Sequence, residues 1–476
     1  MKLRALLSVS LLLLAAAPGE AKAQSVEAGA TAAPTLRDVL DSVDQRYPLI
    51  LAAIREQAEA SGAMLSAEGG FDPSLRASGT IEPISGYKKQ YAQVALEQPT
   101  ALWGTTFYGG YRIGNGSIPT YDGKIETNDY GEVRAGLRLP LWRDGAIDRR
   151  RAALRQAELG AEIAKLSTEQ QRIEARRLGT LRYWEWIAAG ARLRVVQGWL
   201  ALAKDRDAGL GARVAQGDVP LIERQENQRA IFQRETALAG AEREAAQSAI
   251  ELSLFLRGPD GKPRTPTDAQ RPTSLPNPAA GDFTAIDSPQ SAVSARPDIR
   301  RFQVQRSRSE VELELANNQR RPAIDLLAGG SKDLGPGEYK RGLPVAEVGV
   351  VLDIPILNRV QNGRAQTAEA QVGKINEQLR LAADRALADI KNALIGIQVS
   401  KQRVDMTASE VAMAKQLAEA ELKRFELGES NLLLVNLREQ ASAEAQVRHV
   451  DVLLDYHRSI AVYRAALGRN ESRDGG

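Results

Sequence analysis

The sequence has no cysteine, only two histidines, and aromatic residues at just 5% of its 476 positions. Without cysteine, it can have no disulfide framework, no thiolate metal site and no lipid-bearing N-terminal cysteine. No apolar run reaches the roughly 18 residues that a transmembrane helix needs. Any part of the chain that spans a membrane is therefore expected to consist of strands.

An excess of charge of one sign is also missing, since 63 basic residues face 60 acidic ones. The two signs are interleaved, so we expect no nucleic-acid partner. His449 and His457 lie eight residues apart, which predicts an exposed helix face rather than a metal site. No Gly-x-Ser-x-Gly element occurs, and the glycines near residue 258 lack phosphate-loop spacing. The sequence therefore predicts no enzyme, no cofactor and no metal.

The N-terminus has the pattern of a secretory signal peptide. Lys2 and Arg4 precede an apolar run of about a dozen residues, and Ala21-Lys22-Ala23 is a small-x-small cleavage site. We expect residues 1–23 to be removed.

Four short motifs recur in the same order, which predicts a tandem duplication. Tyr47-Pro48 matches Arg296-Pro297, and the proline of Pro140-Leu-Trp matches that of Pro355-Ile-Leu. The other two matches are Asp72-Pro73 with Arg321-Pro322, and Arg213 to Gly217 with Arg424 to Gly428. Tyr47 and Arg296 are 249 residues apart (296 minus 47), and the prolines at 140 and 355 are 215 residues apart (355 minus 140). The stretch between these two motifs is therefore about 34 residues longer in the first copy than in the second. The copies are predicted at residues 24–286 and 287–476, with a proline-rich linker at 258–286.

Each copy is predicted to contain a long helical hairpin. Apolar residues after Ala368 follow three-four spacing over several heptads, and neither long stretch contains proline. Long helices are expected at residues 145–213 and 359–425, each about 100 Å long. They are followed by tips at 214–220 and 426–430 and by return helices at 221–257 and 431–467. Gly217 and Gly428 are suited to ending the long helices. A shorter helix is expected before the strands of each copy, at 297–320 in the second.

The segments before the long helices alternate with a period of two, which predicts strands within residues 74–142 and 323–357. In the first copy Val133, Ala135 and Leu137 share one face, and Arg134 and Arg138 share the other. This alternation is typical of a transmembrane barrel with a polar lumen, although an ordinary half-buried strand would show it too. The nearby Trp103, Phe107, Tyr108 and Tyr111 suggest an interfacial aromatic girdle. One chain offers about four to six strands, which is too few to close a barrel, so several chains must share it.

This order of elements resembles the TolC-type outer-membrane efflux protein family over nearly the whole mature chain. The motifs that carry the resemblance are Arg296-Pro297-Asp298-Ile299, the two proline-ended strands and the two Arg-x-x-x-Gly tips. The resemblance implies a mainly α chain that donates four strands to a 12-stranded barrel shared by a homotrimer in outer-membrane lipid. It also implies a helical tunnel in the periplasm of a Gram-negative bacterium. The partners would be a periplasmic adaptor and an inner-membrane transporter, for efflux or type I secretion.

By the same resemblance, the tips would dock the adaptor and gate the channel. The positions that match the family pattern are Arg213, Gly217, Asp218, Val219, Leu221 and Glu223 in the first copy, and Arg424, Gly428, Glu429, Ser430 and Leu432 in the second. Leu434 and Leu437 stand where an aspartate ring is expected, which favours a hydrophobic constriction. Arg213 and Arg424 could instead only stabilise helix C-termini. The alternative function is a periplasmic coiled-coil adaptor or envelope scaffold, and the substrate is left open among drugs, metal ions and proteins.

Overall fold

The computed structural model describes residues 33–82, 89–116, 126–279, 283 and 288–468. The predicted signal peptide lies outside these residues. In chain order the main elements are α1 (Leu36–Arg46), α2 (Pro48–Glu68), β1 (Ser74–Glu82), β2 (Lys89–Pro99), β3 (Thr106–Gly116), β4 (Glu132–Pro140), α3 (Arg149–Gln216), α4 (Leu221–Ser253), α5 (Pro289–Ala295), α6 (Pro297–Asn318), β5 (Ala323–Asp333), β6 (Val345–Asp353), α7 (Arg359–Glu426) and α8 (Leu432–Ala466). The predicted combination of long helices and an antiparallel sheet is confirmed.

The long helices lie side by side in a single row. In the part nearest the sheet, α2 packs against α3, α3 against α6, and α6 against α7. In the part farther from the sheet, α4 packs against α3, α3 against α8, and α8 against α7. α3 and α7 each have 68 residues and run through both regions. α3 begins at Arg149 rather than at residue 145, because the Asp148 side chain accepts hydrogen bonds from the N–H groups of Arg150 and Arg151 at 2.8 and 2.9 Å. Within the described residues, no helix has both the length and the apolar character needed to cross a bilayer.

The main core lies where α1 and the residues after α4 pack onto α3, α7 and α8, around the fully buried Trp186. The predicted exposed face is wrong for His457, which is only 7% exposed. Its ring stacks on that of Trp184, with the two ring centres 4.2 Å apart. Its Nε2 lies 2.9 Å from the carbonyl oxygen of Pro276. The proline-rich segment covers this helix face, which periodicity alone could not indicate.

The sheet has six antiparallel strands in sequence order, not the four that the resemblance implied. Four of them adjoin long helices: α2 leads to β1, β4 to α3, α6 to β5, and β6 to α7. The two additional strands, β2 and β3, are joined to each other by the turn at residues 100–105. They account for the extra residues that the sequence places in the first copy.

The strand register gives the sheet one apolar and one polar face. Paired residues share a face, and these pairs include Leu326 with Val350 on one face and Arg134 with Ser331 on the other. The apolar face carries Leu75, Ala77, Ile81, Ala92, Val94, Leu96, Phe107, Tyr111, Ile113, Val133, Ala135, Leu137, Leu139, Ile324, Leu326, Ala328, Val348, Val350 and Leu352. The alternation extends over all six strands, so the added strands have the same two-faced character as the others.

The predicted aromatic girdle is only partly supported by the register. Phe107 and Tyr111 point to the apolar face, whereas Tyr108 lies between them in sequence and points to the polar face. Trp103 lies in the turn between β2 and β3. The strand period of two separates residues that look clustered in the sequence.

Candidate functional site

The first hairpin tip is a sharp turn made possible by Gly217. This residue ends α3 with φ 82°, a left-handed conformation that strains any residue with a side chain. The N–H of Asp218 donates to the carbonyl oxygen of Arg213 at 3.0 Å, and the N–H of Gly217 donates to that of Val214 at 3.1 Å. These bonds satisfy carbonyls that the helix end would leave unpaired. The backbone of Arg213 is thus part of the turn, while its side chain is exposed.

The second tip repeats this geometry. Gly428 has φ 78°, and the N–H of Glu429 donates to the carbonyl oxygen of Arg424 at 2.8 Å. Side chains add contacts that the first tip lacks in the described chain: Ser430 Oγ donates to Glu421, and the Arg424 guanidinium lies 3.7 Å from the same carboxylate. The Arg424 side chain also reaches across the turn, where Nη2 lies 3.4 Å from the carbonyl oxygen of Glu429.

The two tips are held together by a small apolar cluster, which we call the tip cluster. It consists of Leu210, Val214, Val219, Phe425 and Leu432, contributed by both hairpins. Of the predicted tip residues, only Val219 and Leu432 meet here. Arg213, Asp218, Leu221 and Glu429 are exposed, and Glu223 is half-buried in the first turn of α4.

Several apolar side chains at the same end of the molecule remain exposed. They are Leu221, Ile222, Leu427, Leu433, Leu434 and Leu437. Exposed apolar groups gathered in one region mark interaction surfaces. The predicted constriction residues Leu434 and Leu437 belong to this set, whereas Leu432 and Val435 are buried.

Replacing Leu432 with alanine is expected to loosen the tips by about 2–5 kcal/mol, because it empties a buried site. Leu432 is 2% exposed and its neighbour Leu433 is 61% exposed, so Leu433→Ala is the matched control. Limited proteolysis measures the effect, and faster cleavage near residues 217 and 428 is expected for Leu432→Ala alone. Equal cleavage of the two variants would contradict a joining role for the tip cluster.

Beneath the tip cluster lies a buried polar cluster of Arg206, Asn227, Arg234, Asn436 and Glu439. Arg234 Nη2 lies 2.9 Å from Glu439 Oε2, and Arg206 pairs with the same carboxylate. Arg206 Nη1 also donates to Asn436 Oδ1 at 3.0 Å, and Asn227 Nδ2 to the carbonyl oxygen of Ala203 at 2.9 Å. Burial lowers the pKa of Arg234, and the hydrogen bond with Glu439 opposes this shift. The cluster ties α3, α4 and α8 together.

Sequence reasoning missed this polar cluster, although a signal was present. In α8 the buried positions Leu432, Val435, Glu439 and Ser442 follow three-four-three spacing. A charged residue within such an apolar stripe is costly unless it is paired. Glu439 was therefore a candidate for a buried ion pair, but its partners on α3 and α4 could not be identified without the packing.

The predicted lumen residues Arg134 and Arg138 both lie on the polar face of the sheet. Arg138 Nε donates to Asp325 Oδ2 at 2.9 Å. The Arg134 guanidinium lies 5.9 Å from the centre of the Tyr108 ring, within range of a cation–π contact. In the part of the chain that the structure describes, no group of three or more His, Cys, Asp or Glu side chains could hold a metal ion.

The comparisons with known proteins agree with this architecture. Residues 288–469, the predicted second copy apart from its ends, match the family "Outer membrane efflux protein". The match covers 182 residues (469 − 288 + 1) of the 476. The resemblance to TolC-type proteins inferred from sequence is thereby confirmed. No curated protein matches the chain in sequence.

Several solved membrane proteins share the fold of this chain. A membrane protein from Pseudomonas aeruginosa aligns over 91% of this chain and 93% of its own, with 16% identity and a TM-score of 0.67. VceC from Vibrio cholerae covers 91% of this chain and 96% of its own, with 18% identity and a TM-score of 0.64. The CmeC channel of Campylobacter jejuni covers 97% and 94%, with 14% identity and a TM-score of 0.63.

Proposed function

We propose that three copies of this chain form a passive channel through the outer membrane. The channel receives substrates from a periplasmic adaptor and an inner-membrane transporter and conducts them outward. The long helices would form the tunnel in the periplasm, with the tips at its inner end. The energy for transport would come from the inner-membrane partner, because an open duct offers only a path for diffusion.

The observation that carries this proposal is the two-faced sheet. Its apolar face is largely exposed, and its first and last strands, β1 and β6, have unpaired edges among the described strands. An open apolar sheet would aggregate in water, and its free backbone groups would be costly in lipid. Pairing β6 of one chain with β1 of the next satisfies both edges and encloses the polar face. Six strands are too few to close on themselves around a lumen.

The tips support a gated entrance. The exposed leucines there form a surface that an adaptor could cover, and Leu434 and Leu437 would narrow the pore as a hydrophobic constriction. The tip cluster and the polar cluster hold the two hairpins together. Adaptor binding would favour a second packing in which the hairpins separate.

The alternative is a periplasmic adaptor or scaffold built from coiled coil. Such a protein would not need six consecutive strands with one apolar face exposed. The long sheet therefore favours the channel.

Planar-bilayer recording tests the channel directly. Purified protein is expected to insert from detergent and to conduct in brief openings, with longer openings for the double variant Leu434→Ser and Leu437→Ser. The matched control is Leu433→Ser together with Leu427→Ser, which alters exposed leucines of the same end without touching the predicted constriction. Negligible conductance for all three proteins, combined with release from membranes by salt, would exclude the channel and favour the scaffold.

A further inference from the structure

The β2–β3 hairpin is built into the sheet rather than attached to its edge. It lies between β1 and β4, so both of its strands are paired on both sides. Every strand of the six has 9–11 residues, which is the length needed to cross the hydrocarbon layer at a tilt. The hairpin therefore adds to each chain two strands that are long enough to span a bilayer.

The turn of this hairpin is packed against the start of α3. A Cβ on Gly104 would lie 2.5 Å from the carbonyl oxygen of Asp144, and a Cβ on Gly145 would lie 2.7 Å from Trp103 Nε1. Arg151 Nη2 donates to the same Asp144 carbonyl at 2.7 Å. Glycines thus allow the turn to approach the helix closely, and the hairpin is fixed at the end nearest the tunnel.

The neighbouring strands also accommodate the hairpin. Tyr108 of β3 lies across Gly136 of β4 and Gly329 of β5. A Cβ on Gly136 would lie 2.5 Å from the Tyr108 hydroxyl, and one on Gly329 would lie 2.6 Å from it. Two strands that adjoin long helices therefore leave room for an aromatic ring supplied by the added hairpin.

We propose that the barrel has eighteen strands rather than twelve, and that its outer mouth admits polypeptide cargo as wide as a helical hairpin. The inference rests on the trimer of the proposed function. With strands about 4.8 Å apart and tilted by about 40°, eighteen strands give a backbone diameter of about 36 Å, and twelve give about 24 Å. Lining side chains reduce these openings to about 25 Å and about 14 Å. Two packed helices need about 20 Å.

The ring formed by the helices would have a similar width. Each chain places four helices side by side both beside the sheet and beyond it, so three chains would form a ring of twelve in each region. At about 9.5 Å between neighbouring axes, this ring has a circumference of about 115 Å. Eighteen tilted strands have a circumference of about 113 Å, and twelve have only about 75 Å. The larger barrel joins the tunnel without a marked narrowing.

The charges on the polar face suit a polymer of mixed charge. Most of its basic side chains are paired with acids on the same face: Arg76 with Glu97, Lys89 with Glu82, Arg112 with Glu132, and Arg138 with Asp325. A wall whose charges are paired binds neither sign strongly. Selection among cargoes would then depend on the tips rather than on the barrel wall.

Electron cryo-microscopy of the trimer in lipid nanodiscs decides the strand number, with a variant lacking residues 89–116 as comparison. Since this deletion removes one whole hairpin, β1 and β4 keep their directions and can pair. We expect eighteen strands for the full chain and twelve for the variant. A twelve-strand barrel in the full chain, with β2 and β3 outside it, would overturn the inference.

Polymer exclusion in planar bilayers tests the width of the mouth. Neutral polyethylene glycols about 20 Å across, added from the outer side, are expected to lower the conductance of the full chain and not that of the deletion variant. Exclusion of these polymers by the full chain would overturn the wide mouth. An eighteen-strand barrel that never conducts would support the barrel inference and contradict the proposed channel function, so the two failures can be told apart.

Discussion

Val350→Arg is expected to prevent stable insertion into the outer membrane, whereas Val351→Arg is expected to be tolerated. The two valines are consecutive on β6 and are 64% and 48% exposed in the single chain. Val350 pairs with Leu326 on the apolar face, and Val351 pairs with Asp325 on the polar face. Arginine facing lipid near the bilayer midplane costs about 2–4 kcal/mol per chain, and a trimer would carry about three times this cost.

The measurement is the amount of heat-modifiable trimer in the outer-membrane fraction. We expect a strong loss for Val350→Arg and near-normal amounts for Val351→Arg, whose new charge would face water next to Asp325. Equal loss in both variants would mean that β6 is an ordinary half-buried strand rather than part of a barrel wall.

Glu439→Ala is expected to destabilise the hairpins by about 3–5 kcal/mol, because it leaves Arg206 and Arg234 buried without their shared counter-charge. The control is Glu444→Ala on the same helix, where the carboxylate is exposed and lies 4.0 Å from Arg448. Such an exposed pair contributes at most about 1 kcal/mol.

Thermal unfolding in detergent, followed by helical circular dichroism, distinguishes the two variants. Glu439→Ala should unfold at clearly lower temperature and show faster proteolysis of α4, while Glu444→Ala should match the unaltered protein. Glu439→Gln should fall between them, since it keeps one acceptor oxygen but loses the charge and the second acceptor. An unchanged Glu439→Ala protein would mean that the polar cluster does not hold α3, α4 and α8 together.

The sequence predicted those features that depend on local pattern. The three-four spacing after Ala368 indicated α7, and the glycines at 217 and 428 indicated the tips, because a left-handed turn after a helix favours glycine. Alternation at Val133 and Arg134 indicated the two faces of the sheet. The bounds of the long helices in the structure lie within a few residues of the expected ones.

Features that depend on contacts distant in sequence could not be obtained in this way. His457 is buried by a segment about 180 positions earlier in the chain. Arg206 and Glu439 form a buried ion pair between helices of separate copies, so neither copy alone indicates it. The strand number also depends on contacts that the sequence does not show. The extra residues of the first copy were visible in the offset between the copies. They could have formed a loop, and only the pairing of β2 and β3 with β1 and β4 makes them part of the sheet.

Cross-linking between β1 and β6 tests the shared barrel most directly. Because the chain has no cysteine, introduced thiols are the only ones present. Ser78→Cys would be combined in turn with Glu347→Cys, Gly349→Cys and Val351→Cys, all on the polar face. Ser78→Cys with Gln93→Cys is the control, since these residues are paired within one chain. After oxidation in outer membranes, at least one β1–β6 combination is predicted to give dimer and trimer bands and nothing larger, while the control stays monomeric. A ladder that ends at the dimer or continues past the trimer, or no cross-link in any combination, would contradict a barrel shared by three chains.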